Sequence, residues 1–363
     1  MRHPGLCRVR MPRPEPAMTA SRRPVAADGR VPERARRRVD RVSSPSEPTT
    51  PARAAEHAAV SRSGLAFAVA AYVLWGFLPI YFIALAPSGP VEIVAWRVLF
   101  SLVFCALLIT VTRAWRALGV LFRDRRIVLT MGLAGLLIFI NWQTYVFAAT
   151  TNQVVEAALG YFINPIVTVF LGVLVQRERL NVTQWVAVGI SILAVVVLAV
   201  GYGQLPWIAL VLAFSFGFYG LIKKRVGPKV DAVSGLTLET VWLAPLAVVQ
   251  LVFVALTAGL TIGTVNAWHT VLLIGLGAVT AVPLLLFAAA SRRLPLIYMG
   301  FIQYFAPFIQ FLVGVVVLQE PMPPERWVGF ALVWVALVVL TVDLVRGARS
   351  SRRTAVEVLE EPI

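Results

Sequence analysis

QVVEAALGYFINPIVTVFLGVLV, residues 153–175, carries a single charge, Glu156, in 23 residues. As an α-helix a run of about 20 apolar residues crosses ~30 Å of hydrocarbon, so this stretch reads as a membrane span rather than a core helix. Its polar residues are ordered. Glu156, Gly160, Asn164 and Thr168 follow one another at spacings of four, which reads as an inward stripe, and Pro165 withholds a backbone donor in mid-span. PLIYMGFIQYFAPFIQFLVGVVVL, residues 295–318, repeats the plan, with Gln303, Pro307 and Gln310 at spacings of four and three.

Outward from these two runs the rest of the chain has the same character. Of 363 residues 59% are hydrophobic and 14% charged, whereas soluble domains hold roughly 25% charged residues. So little polar surface cannot clothe a water-soluble globule, and the solvent for most of the chain is lipid. Ten apolar runs are read, at about 64–86, 91–112, 127–149, 153–175, 182–200, 205–222, 232–257, 268–290, 295–318 and 324–345. The expected fold class is an all-α polytopic membrane protein with ten transmembrane helices.

The net charge of +15 is topology, not a nucleic-acid footprint. Lys and Arg concentrate in short cytoplasmic loops. Here they follow the even spans: Arg113, Arg116, Arg123, Arg125 and Arg126 after the second, Arg177 and Arg179 after the fourth, Lys223, Lys224, Arg225 and Lys229 after the sixth, Arg292 and Arg293 after the eighth. The loops after spans one, three, five and seven have none, and that after span nine has only Arg326. Both termini are therefore expected in the cytoplasm. Residues 1–63 hold 14 Arg against 6 acidic residues, are rich in Pro and lack an apolar signal core, so they read as a disordered tail. A contact of Arg34–Arg41 with anionic lipid or nucleic acid is the sharper alternative for that segment. Cys7 and Cys105 make no disulfide framework.

The two halves match at an offset of 142: Pro165 with Pro307, Gly172 with Gly314, Glu178 with Glu320, Trp185 with Trp327, and Arg97 with Glu239. Gly76 falls on Gly217 at an offset of 141. One duplication of five helices explains these matches, with repeats at 64–200 and 205–345 and a cytoplasmic tail at 346–363. Because five is odd, the second copy enters the membrane from the opposite side, giving an inverted repeat whose halves can exchange conformations around a central site.

Candidate site residues are the polar and aromatic groups inside the spans. Asn141, Trp142, Gln143, Thr144 and Tyr145 lie together in span three, with Asn141, Thr144 and Tyr145 on one face. Asn141, Tyr145, Asn164 and Gln303 are expected to line one cavity near the midplane, joined by Glu156, Thr168 and Gln310. Trp75, Trp142, Tyr161 and Tyr304 are placed to stack on an apolar or aromatic substrate, against the alternative of an interfacial belt. For the amides the competing role is to tie helices together, at about 0.6 kcal/mol a bond. Pro165, Pro283 and Pro307 are expected helix breaks. Arg97 and Glu239 are the charges set deepest in predicted spans, where insertion costs about 2.5 to 3.5 kcal/mol, and a conformational or coupling role is expected for both. Measured from opposite ends of their spans, they are not expected to pair with each other. A partly desolvated Glu239 can take up a proton near neutral pH, which makes it the coupling candidate.

Enzymatic readings lack their parts. His269 stands alone, Ser215 has no Gly-x-Ser-x-Gly setting, and no Gly-rich loop precedes Lys-Ser or Lys-Thr. Neither a metal nor a cofactor is expected.

EIVAWRVLFS (92–101), EAALGYFINPIVTVFLGVLVQRERL (156–180), LAFSFGFYGLIKK (212–224), GLTLETVWLAPLA (235–247), AVPLLLFAAASRRL (281–294) and GFIQYFAPFIQFLVGVVVL (300–318), in this order, closely resemble the RarD-type permeases of the EamA branch of the drug/metabolite transporter superfamily. The likeness covers about residues 62–346. It departs in the long tail and in the Gln319-Glu320-Pro321 turn, where relatives carry a small residue before Glu. The resemblance implies a ten-helix carrier in a bacterial inner membrane, its cavity walled mainly by spans one, three, four, six, eight and nine, with five and ten outside. The expected function is secondary active transport of a small metabolite or drug-like compound, in the outward direction, by alternating access around a central cavity. An importer, and a non-transporting receptor or scaffold, are the alternatives. The expected partners are a small-molecule substrate and the bilayer; proton coupling and a homodimer stay open.

Overall fold

The computed structural model describes residues 61–176, 180–203, 205–226, 229–294 and 296–360. Residues 1–60 of the expected tail, Cys7, Arg177, Glu178 and Arg179 lie outside the described residues. Every regular element among the described residues is a helix: α1 Arg62–Gly76, α2 Leu78–Ile83, α3 Pro90–Val111, α4 Trp115–Arg123, α5 Arg125–Thr150, α6 Val154–Gln176, α7 Val182–Tyr202, α8 Trp207–Val226, α9 Ala232–Thr257, α10 Ala267–Ser291, α11 Leu296–Ile302, α12 Phe305–Leu312, a π-helical turn Val313–Val317, and α13 Pro324–Glu360.

Their starts follow from short polar side chains that satisfy the free amides of a first turn. Asp124 accepts from the Arg126 and Ile127 amides, Asn181 and Gln184 form a reciprocal capping box, Asp231 accepts from Val233 and Ser234, and Asn266 accepts from His269. The basic segment after span two, expected as a loop, contains the helix α4. Its Leu118 is buried while its arginines stay outside, an amphipathic turn too short to register as a span.

Nine helices among the described residues are long and apolar enough to cross a membrane. The first of the ten expected spans is not one of them, because Phe77 divides it into a piece of 15 residues and a piece of 6. Pro79 supplies the cause. It has no amide proton to offer the Trp75 carbonyl one turn back, and the Gln310 Nε2 donates to that carbonyl instead, at 3.2 Å. Span nine breaks the same way at Gln303–Tyr304, the residues whose helical bonds Pro307 disrupts. Pro165 and Pro283, also expected as breaks, lie inside the unbroken helices α6 and α10. A single lost bond is absorbed where helix continues firmly on both sides, so proline alone does not decide a break.

The helices pack in sets. α7 lies on α13, α3 on α9 and α6 on α12; α6–α8 is matched by α1–α12, α3–α10 by α5–α9, and α1–α10 by α5–α8. Exchanging span n with span n + 5 turns each of these contacts into another of them or into itself. Close approaches obey the same exchange. A Cβ on Gly76 would meet Ile309 at 2.7 Å, and one on Gly217 would meet Val167 at 3.2 Å, where 167 and 309 differ by the repeat offset. Small residues at these crossings let the backbones approach, the usual device of helix pairs in lipid. The outside is apolar, with Leu256 81% and Val182 79% exposed, as a lipid-facing surface requires.

Candidate functional site: a polar and aromatic central cavity

A cavity of about 440 Å³ lies among α1, α2, α3, α5, α6, α8, α9, α10 and α12. No described residue of spans five and ten, α7 and α13, lines its wall, whereas α3 and α9, which the family resemblance did not place there, contribute Arg97, Ala232, Leu236 and Glu239. At one end the wall reaches Lys223 and Ala232, where α8 ends and α9 begins. It stops short of the other end, which is tied shut. There Ser88 Oγ lies 2.6 Å from Thr261 Oγ1 and 3.0 Å from His269 Nε2, and that nitrogen also sits 3.0 Å from the Leu85 carbonyl. The Glu92 carboxylate accepts from the Thr261 amide at 2.8 Å, and the Tyr81 hydroxyl donates to the Leu272 carbonyl.

Most of the residues singled out in the sequence meet at this cavity: Trp75, Asn141, Trp142, Tyr145, Tyr161, Asn164, Gln303, Tyr304, Gln310, Pro307, Arg97 and Glu239 all line it. They do different things there. Asn141 is committed to the fold. Its Nδ2 donates to the Leu212 carbonyl (3.2 Å) and Ser215 Oγ (3.1 Å), and its Oδ1 accepts from the Tyr161 hydroxyl (2.9 Å), so one amide ties α5 to α8 and α6. Gln303 Nε2 donates to the Gly300 carbonyl within its own broken span. By contrast Asn164 Oδ1, Gln310 Oε1 and the Tyr145 hydroxyl are buried with no hydrogen-bond partner among the described residues. Tyr145 faces Gln310 without reaching hydrogen-bond geometry.

Glu156 and Thr168, expected on the same stripe, are not part of the wall. The Glu156 carboxylate accepts from the Ile208 amide at 3.0 Å and so caps the start of α8. Thr168 is exposed and donates to the Asn164 carbonyl. Glu320 has a similar capping task, accepting from the Val154 and Val155 amides at 2.6 and 3.0 Å, which anchors the Gln319-Glu320-Pro321 turn on the first turn of α6. Burial raises its carboxyl above the ordinary range, against the opposing pull of those two amides and of Arg326. These carboxylates sit where helix N-termini present free amides and positive dipole ends.

The cavity's charges are held in two ways. Glu239, 1% exposed, pairs with Lys223 at 2.9 Å and accepts from the Tyr219 hydroxyl at 3.4 Å. Arg97, 5% exposed, donates through Nε to Thr280 Oγ1 at 3.0 Å, and its guanidinium lies 4.1 Å from the centre of the Trp142 ring and 5.6 Å from that of Phe82. The sequence reading missed Phe216, Tyr219 and Lys223, all in the wall. The signal was available: they recur at three and four residues along span six, the period of one helix face.

The aromatic wall, the buried charges and the ties at one end make a compartment that can admit a small amphipathic solute. Comparison with known proteins agrees with this architecture. Residues 62–200 match the EamA-like transporter family. The chain is 46% identical over 291 residues to Protein RarD of Streptomyces exfoliatus, an alignment covering 80% of this chain and 92% of that one. The chain belongs to the RarD-type permeases of the drug/metabolite transporter superfamily. Protein RarD of Escherichia coli strain K12 is 38% identical, covering 81% of this chain and 98% of its own, and the Chloramphenicol-sensitive protein RarD of Pseudomonas aeruginosa is 30% identical, covering 82% and 99%. A crystal structure with 18% identity superposes with a TM-score of 0.51 over 78% of this chain and 99% of that chain, a likeness of fold. This RarD-type permease is thus a polytopic membrane transporter.

Proposed function

We propose that this permease is a secondary transporter that exports a small metabolite or drug-like compound by alternating access, from the inner membrane of a bacterium. The carrying observation is the cavity itself. It is walled from both halves of the chain, reaches the end where α8 finishes in Lys223, Lys224 and Arg225, and is tied shut at the end of Ser88, Thr261 and His269. By the distribution of Lys and Arg the end that reaches Lys223 is cytoplasmic, as both termini would be, so the state is read as inward-facing and ready to load from within.

The reading takes the chain as ten spans in two inverted repeats, 64–200 and 205–345. Support comes from the exchange of helix contacts between span n and span n + 5 and from the paired approaches at Gly76 and Gly217. Such halves can swap roles, so that the ties now at one end re-form at the other. The Lys223–Glu239 pair lies at the loading end, where opening and closing would strain it, and Glu239 is the proposed point of proton coupling.

The test is flux. The purified protein, reconstituted into sealed proteoliposomes loaded with a cytosolic metabolite extract, should release or exchange specific solutes faster than protein-free vesicles. Comparison of exported metabolites from cells with and without the gene should find the same solutes. Vesicles whose contents stay indistinguishable from the protein-free control would remove the transport reading and leave a receptor or scaffold.

A further inference from the structure

Arg97 is a buried cation with no counterion among the described residues. Its terminal nitrogens make no hydrogen bond among the described residues, Nη1 is buried without a partner, and no described carboxylate lies within ion-pair distance of it. The one carboxylate among the described wall residues, Glu239, is taken by Lys223. A guanidinium withdrawn from water loses several kcal/mol of solvation, and one neutral hydroxyl and two ring faces restore only part of it. The fold retains the charge on α3 where apolar neighbours surround it, and the residue lines the cavity wall.

The wall around it says what would complete it. Trp142, Tyr145, Tyr161, Trp75, Tyr72 and Phe287 line the same space, an apolar and aromatic surface for the body of a solute. Asn164 Oδ1 and Gln310 Oε1 are unpartnered acceptors, and Gln310 is oriented by the bond from its Nε2 to the Trp75 carbonyl. A volume of about 440 Å³ accommodates a small organic molecule. With Lys223 engaged, one unsatisfied positive charge remains among the described wall residues, which matches a monoanion rather than a phosphate dianion.

We propose that Arg97 is the anion-binding residue of the cavity and that the substrate class is small organic monocarboxylates with an apolar or aromatic body. The planar guanidinium presents its free nitrogens to the carboxylate, the ring system lies on the aromatic wall, and a hydroxyl or amine of the solute, where present, donates to Gln310 Oε1 or Asn164 Oδ1. This inference rests on the cavity being the transport site proposed above.

The test is a charge series. 3-Phenylpropionate, 3-indolepropionate and octanoate are titrated against purified protein in lipid nanodiscs beside the matched alcohols and amines, with binding read from tryptophan fluorescence and checked by calorimetry. At least one carboxylate should bind about tenfold or more tightly than its alcohol and amine, as expected when a buried charge gains its partner. Arg97→Gln should remove that preference, and Arg97→Lys should restore part of it. Should Arg97→Gln fail to fold, shielding of a thiol at Asn164→Cys by carboxylate but not alcohol, in otherwise wild-type Arg97 protein lacking Cys7 and Cys105, supports the same conclusion. If no carboxylate binds better than its alcohol, or if the preference survives in folded Arg97→Gln, the inference is overturned. The two readings fail separately: carboxylate binding without flux removes transport and leaves the site, whereas flux of neutral solutes without carboxylate preference removes the site and leaves transport.

Discussion

Arg97 and Glu239 occupy equivalent positions of the two halves, 142 residues apart, on helices α3 and α9 that pack against each other, and both line one cavity. The two sites carry opposite charges, with opposite provision for them. Glu239 has Lys223 at 2.9 Å and the Tyr219 hydroxyl at 3.4 Å, whereas Arg97 has a threonine hydroxyl and the faces of Trp142 and Phe82. A charge with an internal partner holds the empty protein together and can act when that partner is pulled away. A charge without one is left for the solute. On the proposed reading of the chain as two repeats, equivalent places have diverged into a gating pair and a binding group.

Breaking the gating pair from the Lys223 side should have the largest effect on stability. Lys223→Met leaves the Glu239 carboxylate buried beside a single hydroxyl, and the expected loss is about 1–3 kcal/mol, below the figure for a fully buried pair because the Lys223 side chain is 31% exposed. Thermal unfolding in detergent measures it. The double variant Lys223→Met/Glu239→Gln should recover much of the loss, since no charge is then stranded. A double variant less stable than Lys223→Met would mean that the two residues are not coupled.

Glu239→Gln alone should cost less stability, because Lys223 can turn to water. Its effect belongs in transport: flux in proteoliposomes should fall and its dependence on pH should flatten, while binding of a carboxylate stays within about twofold, less than any charge-pair contribution. A wild-type rate and pH profile in this variant would remove Glu239 from the mechanism. Binding lost in parallel with flux would assign Glu239, not only Arg97, to the substrate.

The smallest effect is expected at the start of the same helix. Asp231 caps α9 through the Val233 and Ser234 amides, and although its partial burial pushes the carboxyl up, hydrogen bonds from Ser234 and Val233 prevail and hold it below its ordinary value. With the folded value depressed, its contribution is present above the ordinary carboxylate pKa and is lost as pH falls through the lowered value. Asp231→Ala should remove about 1 kcal/mol at neutral pH, the usual worth of such a cap, and the difference from wild type should shrink at the acid end of that window. A pH-independent difference would show that the charge has no part in capping.

The fold was legible because lipid leaves few choices. Apolar runs of membrane length and the alternation of basic loops located the spans, and two charges in apolar runs were conspicuous as Arg97 and Glu239. Glu156 and Thr168 were misplaced for a geometric reason. Four residues advance a helix by about 400°, so a stripe of constant spacing four drifts about 40° per step and turns its ends away from the face of its middle. Asn164 stays on the cavity, while Thr168 has rotated outward and Glu156, in the first turn of α6, meets the amide of Ile208 on a neighbouring helix. That capping partner is 52 residues away in sequence and no local pattern announces it. The prolines show the same limit. Pro79 and Pro307 mark breaks and Pro165 and Pro283 do not, and at Pro79 the released Trp75 carbonyl is taken by Gln310, 235 residues away in sequence.

The most direct test of a solute path through this cavity is the reactivity of a thiol placed at Gln303→Cys, in protein lacking Cys7 and Cys105, in membrane vesicles of known orientation. A membrane-impermeant thiol reagent should modify it from the face bearing the basic loops, a bound carboxylate should shield it, and modification from the opposite face should appear once solute is cycling. A thiol in folded protein that stays inert from both faces, with and without solute, would contradict transport through the cavity and leave its polar residues as ties between helices.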